Sequence, residues 1–180
     1  MALITGRTAR NIIRGRQNKA AGEHFEELLS HALSFYAEEG IAVIKKTPEP
    51  LKPIKSLGGG KFMAVFTKKS QVDFSGTLSG GRAIRFEAKQ TDTERFARER
   101  LSEEQMDDLE MHSKLGAYCC VMLCFGFDRV YRIPWVCWKD MKVAFGHNYV
   151  TESDVKAFRV PKRCNAAMIL DATEMEDIFA

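Results

Sequence analysis

The sequence predicts a mixed α/β domain, with one central sheet and helices packed against it. Three observations carry that expectation. An apolar stripe at three- and four-residue spacing marks a long helix near the N-terminus. Several short apolar runs, two of them joined by Ser79-Gly80-Gly81, read as strands. The order is helix, strand, ribbon, strand, strand, helix, strand, strand, then small elements. A chain of 180 residues that is 45% hydrophobic and 28% charged can bury one core, which argues against global disorder.

Residues 1–21 read as a basic, flexible arm. Arg7, Arg10, Arg14, Arg16 and Lys19 stand there without an acid. A single domain then occupies 22–180. Its first helix spans about 22–39, because Phe25, Leu28, Leu29, Ala32, Leu33 and Tyr36 share one face and Gly40 ends it. Residues 41–46 read as a strand bounded by Pro48. The segment 47–70 is an insertion that projects as a ribbon. Pro48, Pro50 and Pro53 precede Gly58-Gly59-Gly60, and this composition forbids a helix. Gly58-Gly59-Gly60-Lys61 imitates part of a phosphate loop. It fails as one, because Lys55 stands in place of the first glycine and Phe62 in place of the Ser/Thr.

Residues 72–78 and 82–89 are the two strands of a hairpin. A helix over 102–115 opens on a capping box of Ser102 and Gln105 and stops at Gly116. Residues 117–125 form a strand of the buried, non-alternating kind, with 129–133 as its hairpin partner. Beyond Pro134 come a short helix with Trp135 and Trp138, a turn at 146–148, a short helix near Ser153 and a last strand near 167–170. The two tryptophans suit core or dimer burial.

The apolar run 117–127 is broken by Gly126 and falls far short of the roughly 20 residues a membrane span needs. Residues 1–19 contain no continuous apolar stretch of signal-peptide length. Both points favour a cytoplasmic protein with no membrane partner. The five cysteines, Cys119, Cys120, Cys124, Cys137 and Cys164, are odd in number and form no CxxC pair. Packing explains them better than disulfides or zinc. The net charge of +3 divides into +6 over residues 1–69 and −3 over the remainder. The basic part suits a polyanion such as nucleic acid, with a solvated tail as the plainer alternative.

Glu87 and Lys89 lie two apart on a strand and so point to one face. If Ser79, Gly80 and Gly81 form a three-residue loop, Leu78 pairs with Arg82 and Asp73 faces Glu87. Two carboxylates about 5 Å apart at Cβ repel each other, and a divalent cation between them removes the objection. A two-residue Gly80-Gly81 turn would shift the register by one and send the carboxylates to opposite faces. The pattern Asp73-x13-Glu87-x-Lys89 matches the PD-(D/E)xK nuclease motif, with Val72 in place of the proline. In that chemistry the two acids and the carbonyl of the intervening residue, here Ala88, hold Mg²⁺, while the lysine positions water and binds phosphate. On a helical wheel Glu26 sits at the edge of the apolar stripe, the acid of its helix best placed to lean toward the sheet. An ordinary boundary glutamate would sit there too.

Four spaced blocks widen the likeness. They are Gly22-x-x-Phe25-Glu26, then Ile41-Ala42-Val43-Ile44-Lys45-Lys46-Thr47-Pro48, then Val72-Asp73-Phe74-Ser75-Gly76, then Phe86-Glu87-Ala88-Lys89-Gln90-Thr91. Together they resemble the RecU family of Holliday-junction resolvases of Gram-positive bacteria and their phages, over residues 22–134. The resemblance implies a restriction-endonuclease-like core, used as a homodimer with two active sites. It implies Glu26, Asp73, Glu87 and Lys89 as the catalytic set, with Mg²⁺ held by Glu26, Asp73, Glu87 and Ala88 and Mn²⁺ as a substitute. The ribbon matches the family's stalk, which enters the opened centre of a four-way junction.

Further DNA contacts are expected from Arg14, Arg16, Lys52, Lys55, Lys61, Lys68, Lys69, Gln90, Arg95 and Gln105. Gln105 matches one half of the family's His-Gln pair, but Glu104 replaces the histidine, so Gln105 acts either at the site or only as a cap. Gln90 is neutral and suits phosphate or support of the ligands. Arg98 and Arg100 suit DNA or a solvated loop equally. Phe62, Met63 and Phe66 either wedge against unstacked bases or pack the ribbon, and at least one is expected to pack. The implied activity is junction-selective, metal-dependent cleavage leaving 5′-phosphate ends, with host recombination or branch-migration proteins as further partners. Another nuclease of the same motif, or a non-catalytic phage DNA-binding accessory protein, are the alternatives.

Overall fold

Helix α1 (Gly6–Glu38) carries the expected stripe but begins well before it. Phe25, Leu28, Leu29, Ala32, Leu33 and Tyr36 are all buried. The structure, a computed structural model, describes residues 6–48, 50–67 and 71–171. Residues 6–21, expected as a flexible arm, belong to the same helix, which therefore starts earlier than residue 22. Their composition explains it. Arg, Gln, Lys and Ala are good helix formers, no proline intervenes, and propagation from a packed helix costs far less than nucleation.

Strand β1 (Ala42–Lys46) follows. Strands β2 (Leu51–Gly58) and β3 (Lys61–Phe66) then pair with each other as a separate antiparallel ribbon. Every residue of both is exposed, so the insertion projects as expected. Phe62, Met63 and Phe66 are all in solvent, at 60%, 52% and 66% exposure, against the expectation that one would pack. Two strands without a covering layer have no interior to offer. The ribbon closes at its base, where the Thr67 N–H donates to the Pro50 carbonyl at 3.0 Å.

The rest of the chain forms β4 (Phe74–Leu78), β5 (Ala83–Thr91), β6 (Arg95–Ala97), α2 (Glu103–Lys114), β7 (Tyr118–Phe125), β8 (Arg129–Pro134), α3 (Trp135–Lys139), α4 (Met141–Phe145), β9 (Tyr149–Thr151), β10 (Lys162–Arg163) and β11 (Ala166–Ala167). Strands β6 and β9 pair with each other, an element the charged run 94–100 had hidden. The buried ring of Phe96 anchors it. Ser153 lies in a turn, and a 3₁₀ turn at Lys156–Phe158 replaces the short helix expected there. The last strand is the two-residue β11 rather than 167–170; Met168, Ile169 and Leu170 pack instead into the α1 core.

The central sheet has the order β1-β4-β5-β7-β8, with β5 and β7 parallel and the other pairs antiparallel. It is the expected mixed sheet with helices on both sides. Cys120, Met122 and Cys124 of β7 pack toward α1, while Cys119, Val121 and Leu123 pack in the core shared with α2 and α3. Burial on both faces is why this strand reads as one continuous apolar run. Trp135 and Trp138 are buried in the second core. Cys137 is half-buried against the second core and Cys164 is exposed, so packing accounts for four of the five cysteines.

The β4–β5 turn sets the register. The Leu78 N–H donates to the Arg82 carbonyl at 2.8 Å, and Gly80 and Gly81 take φ of 89° and 90°, which glycine adopts without strain. Strand β1 lies so close over β4 that a Cβ on Gly76 would stand 2.2 Å from the Val43 carbonyl oxygen and 2.6 Å from the Ile44 Cα. Gly76→Ala should therefore lower stability by about 1–3 kcal/mol in urea melts. A variant as stable as the parent would contradict this packing of β1 on β4.

Candidate active site

Strand β4 ends where its chemistry begins. Phe74 pairs with Phe86, and the same register one residue further sets Asp73 opposite Glu87. The three-residue loop, not the two-residue turn, is the one formed. Phe86 points to the α1 core, so alternation turns Glu87 and Lys89 to the α2 side.

The two acids are laced together through each other's backbone. Asp73 Oδ2 accepts the Ala88 N–H at 3.0 Å, and Glu87 Oε2 accepts the Asp73 N–H at 3.2 Å. Lys89 Nζ donates to Glu87 Oε1 at 2.5 Å. Gln105 Nε2 donates to the same oxygen. The capping box aims that amide. Gln105 Oε1 accepts the Ser102 N–H at 3.1 Å, and Ser102 Oγ accepts the Gln105 N–H at 3.3 Å. With its carbonyl oxygen on the cap, the NH₂ is left to face Glu87. Gln105 therefore both caps α2 and holds Glu87. Further along the same face of β5, Arg85 bonds Asp108 of α2 at 3.0 Å, a pairing the sequence reading missed.

Glu87 is fully buried. Burial first, and the neighbouring Asp73 charge second, push its carboxyl up to about 7, against the opposing pull of Lys89. A site that raises a carboxyl in this way is short of positive charge. The donors on offer are hard oxygens: the Asp73 and Glu87 carboxylates, joined by the Ala88 carbonyl. In a strand a residue's N–H and C=O face the same side, so this carbonyl leaves β5 on the edge beyond the last β4 pair. Such a set fits Mg²⁺ or Mn²⁺. Among the described residues no group of three His, Cys, Asp or Glu side chains converges closely enough to hold a metal ion.

Glu26, the third expected acid, is engaged elsewhere. Its Oε2 accepts from Lys46 Nζ at 2.6 Å, and both side chains are about half exposed, at 50% and 54%. The structure thus gathers Asp73, Glu87, Ala88, Lys89 and Gln105, and leaves Glu26 on Lys46. Gln90 also lies apart. It alternates away from Lys89 and donates its amide to the Gly126 carbonyl at 3.0 Å, a placement that strand parity alone would have given. Arg95 sits on β6 with its guanidinium 4.8 Å from the centre of the Tyr149 ring. Lys52, Lys55 and Lys61 are exposed on the ribbon. Lys68 and Lys69 lie outside the described residues, and Arg14 and Arg16 fall on the N-terminal half of α1 rather than on an arm.

Paired carboxylates and a lysine on adjoining strands of a mixed sheet give the D-x-n-E-x-K arrangement of metal-dependent nucleases. A family model described as RecU, Recombination protein U, matches residues 20–163. The chain belongs to that family. It is 33% identical over 120 residues to a protein of Bacillus pumilus named Holliday junction resolvase RecU, an alignment covering 63% of this chain and 57% of the relative. Proteins of the same name from Pediococcus pentosaceus and Streptococcus sanguinis are 31% identical over 111 residues and 30% over 120. Those alignments cover 58% and 63% of this chain, and 54% and 60% of the relatives. The chain thus spans less than two thirds of the length of the relatives it matches. A solved structure of Hjc, a Holliday junction resolvase of Archaeoglobus fulgidus, aligns with a TM-score of 0.41 and 15% identity, over 68% of this chain and 87% of that one. No described helix is long and apolar enough to cross a membrane.

The raised Glu87 carboxyl links stability to pH. Holding its proton to higher pH in the fold than in the open chain, it contributes stability that is full below its ordinary 4.5 and is lost as pH rises through about 7. In EDTA, Glu87→Gln should match the parent near pH 4.5 and melt progressively higher than it toward pH 8. A difference in Tm that does not change with pH would contradict the assignment.

Proposed function

We propose that the protein is a metal-dependent endodeoxyribonuclease that resolves four-way DNA junctions, leaving 5′-phosphate and 3′-hydroxyl ends. The observation that carries this reading is the Asp73–Glu87 pair with Lys89 beside it, on a sheet from which an exposed basic ribbon projects. Membership of the RecU family and the names of the relatives support the substrate.

Asp73, Glu87 and the Ala88 carbonyl would hold Mg²⁺, or Mn²⁺ in its place, which supplies an acidified water and neutralises charge on the phosphorane. Gln105 and the Asp73 N–H hold Glu87 in one orientation, so its oxygens need not reorganise during the reaction. Lys89 has three donors, one of them on Glu87, and offers the others to the attacking water and the scissile phosphate. Attack is in line, the P–O3′ bond breaks, and the 3′ oxygen takes up a proton. Glu26 completes the set once it leaves Lys46.

Recognition is of junction shape, so phosphate contacts dominate. Lys52, Lys55 and Lys61 on the ribbon, with Lys68 and Lys69 beyond it and Arg14 and Arg16 on α1, suit that role. Two-fold symmetry in a homodimer would place two such sites on strands of like polarity. Cytoplasmic location and contact with host recombination proteins belong to the same reading.

Asp73→Asn keeps an oxygen for the Ala88 N–H and removes the charge. It should cut junction cleavage at least about 100-fold, roughly 3 kcal/mol of transition-state stabilisation, with junction binding retained in gel shifts. Cleavage at the parental rate would remove Asp73 from the mechanism. Because Pro50 and Thr67 meet, the ribbon can be replaced by a short linker across its base. That variant should lose affinity for four-way junctions at least about tenfold while holding linear duplex within about twofold. Equal loss on both would argue for another nuclease of this class.

A further inference from the structure

The Glu26–Lys46 contact stands at the site's edge without belonging to it. Lys46 is the last residue of β1 and pairs with Phe74, the residue after Asp73. The next residue, Thr47, donates its N–H to the Asp73 carbonyl at 2.8 Å. Lys46 therefore sits at the sheet end that carries the carboxylates. Strand alternation sets its side chain with Ile44 on the α1 side and turns Lys45 to the other. There Lys46 Nζ meets Glu26 Oε2 at 2.6 Å. An open groove of about 650 Å³, lined by Glu23, Glu26, Glu27, Lys45, Lys46 and Phe74 among others, leaves both side chains room to change partners. The other nearby acids of α1 have basic side chains of their own helix beside them, Lys19 at 3.7 Å from Glu23 and His24 at 3.9 Å from Glu27. Glu26 instead reaches across to the sheet.

Resting on the nuclease reading, we propose that Lys46 is a positioning residue that latches Glu26 away from the cation site and surrenders it when a DNA phosphate takes the ammonium group. Half-exposed ion pairs are weak, so a polyanion or a divalent cation can break this one. The latch couples the two ligands. DNA that captures Lys46 frees Glu26 for the metal, and metal that captures Glu26 frees Lys46 for DNA, by the same factor in each direction. The third acid thus joins the site more readily when substrate and ion are both present than with either alone.

Mn²⁺ binding to the full chain, followed by EPR without DNA, tests this. Lys46→Met should bind Mn²⁺ roughly two- to fivefold more tightly than the parent, the range an exposed ion pair allows. Lys46→Arg should restore parental affinity. Lys45→Met, which removes the same charge from the other face, should not reproduce the gain, and the gain should vanish in a Glu26→Gln background. A gain that persists without Glu26, or that Lys45→Met matches, would overturn the latch. Asp73→Asn separates the two levels of the argument. If it binds Mn²⁺ as the parent does, the metal site itself is wrong and the latch falls with it. If it loses Mn²⁺ while Lys46→Met changes nothing, only the latch falls. In EDTA, fluorescence anisotropy on a short duplex supplies the reciprocal arm. Glu26→Gln should tighten binding roughly two- to fivefold, and not in a Lys46→Met background. Equal tightening in both backgrounds would reduce the effect to net charge.

Discussion

Two carboxylates forced into contact by a hairpin register are the constraint around which this molecule is arranged. Asp73 and Glu87 would repel if either could turn away. Neither can, because each is bonded to the backbone of the other's strand. Gly80 and Gly81 set that register from the far end of the hairpin, through a loop that few other residues could form. The sheet then keeps Glu87 out of water, since both of its faces are covered. A buried, crowded carboxyl is a poor structural element and a good ligand for a small cation.

Helix α2 is part of this arrangement rather than a bystander. Its N-terminal turn is closed by Ser102 and Gln105, and the same glutamine reaches Glu87. A local capping rule and a site contact are satisfied by one side chain, so the helix cannot shift without disturbing Glu87. The Arg85–Asp108 bond ties the next turn of α2 to the same strand. By contrast the ribbon has no core of its own and exposes every side chain. A rigid site beside a projecting, lysine-bearing excursion suits an enzyme that does chemistry in one place and senses substrate shape in another.

Much of this was legible in the residues. The stripe from Phe25 to Tyr36, the projecting ribbon and the capping box followed from spacing and turn chemistry, which are local, whereas the hairpin register was one of two that the glycine turn allowed. The failures have physical reasons. The N-terminal half of α1 lacks a stripe, and helix continuity there comes from propagation rather than amphipathicity. Strand β6 is short and charged, and only its pairing with the distant β9 makes it a strand. Glu26 was placed correctly at the edge of its stripe, but its partner depends on where β1 ends in space, which helical periodicity cannot report. Gln90 turns away from Lys89 onto the Gly126 carbonyl, as strand parity alone indicates. Cys164 escaped the packing rule because the turn that carries it lies outside the core.

Where a divalent ion sits decides whether the Asp73–Glu87 pair is a metal site. Crystals grown with Mn²⁺ and measured at the manganese edge would locate it without reference to activity. The account predicts one anomalous peak between the side chains of residues 73 and 87, within coordination distance of the backbone oxygen of residue 88. Manganese bound elsewhere, with that pair held only by its lysine and glutamine neighbours, would contradict it.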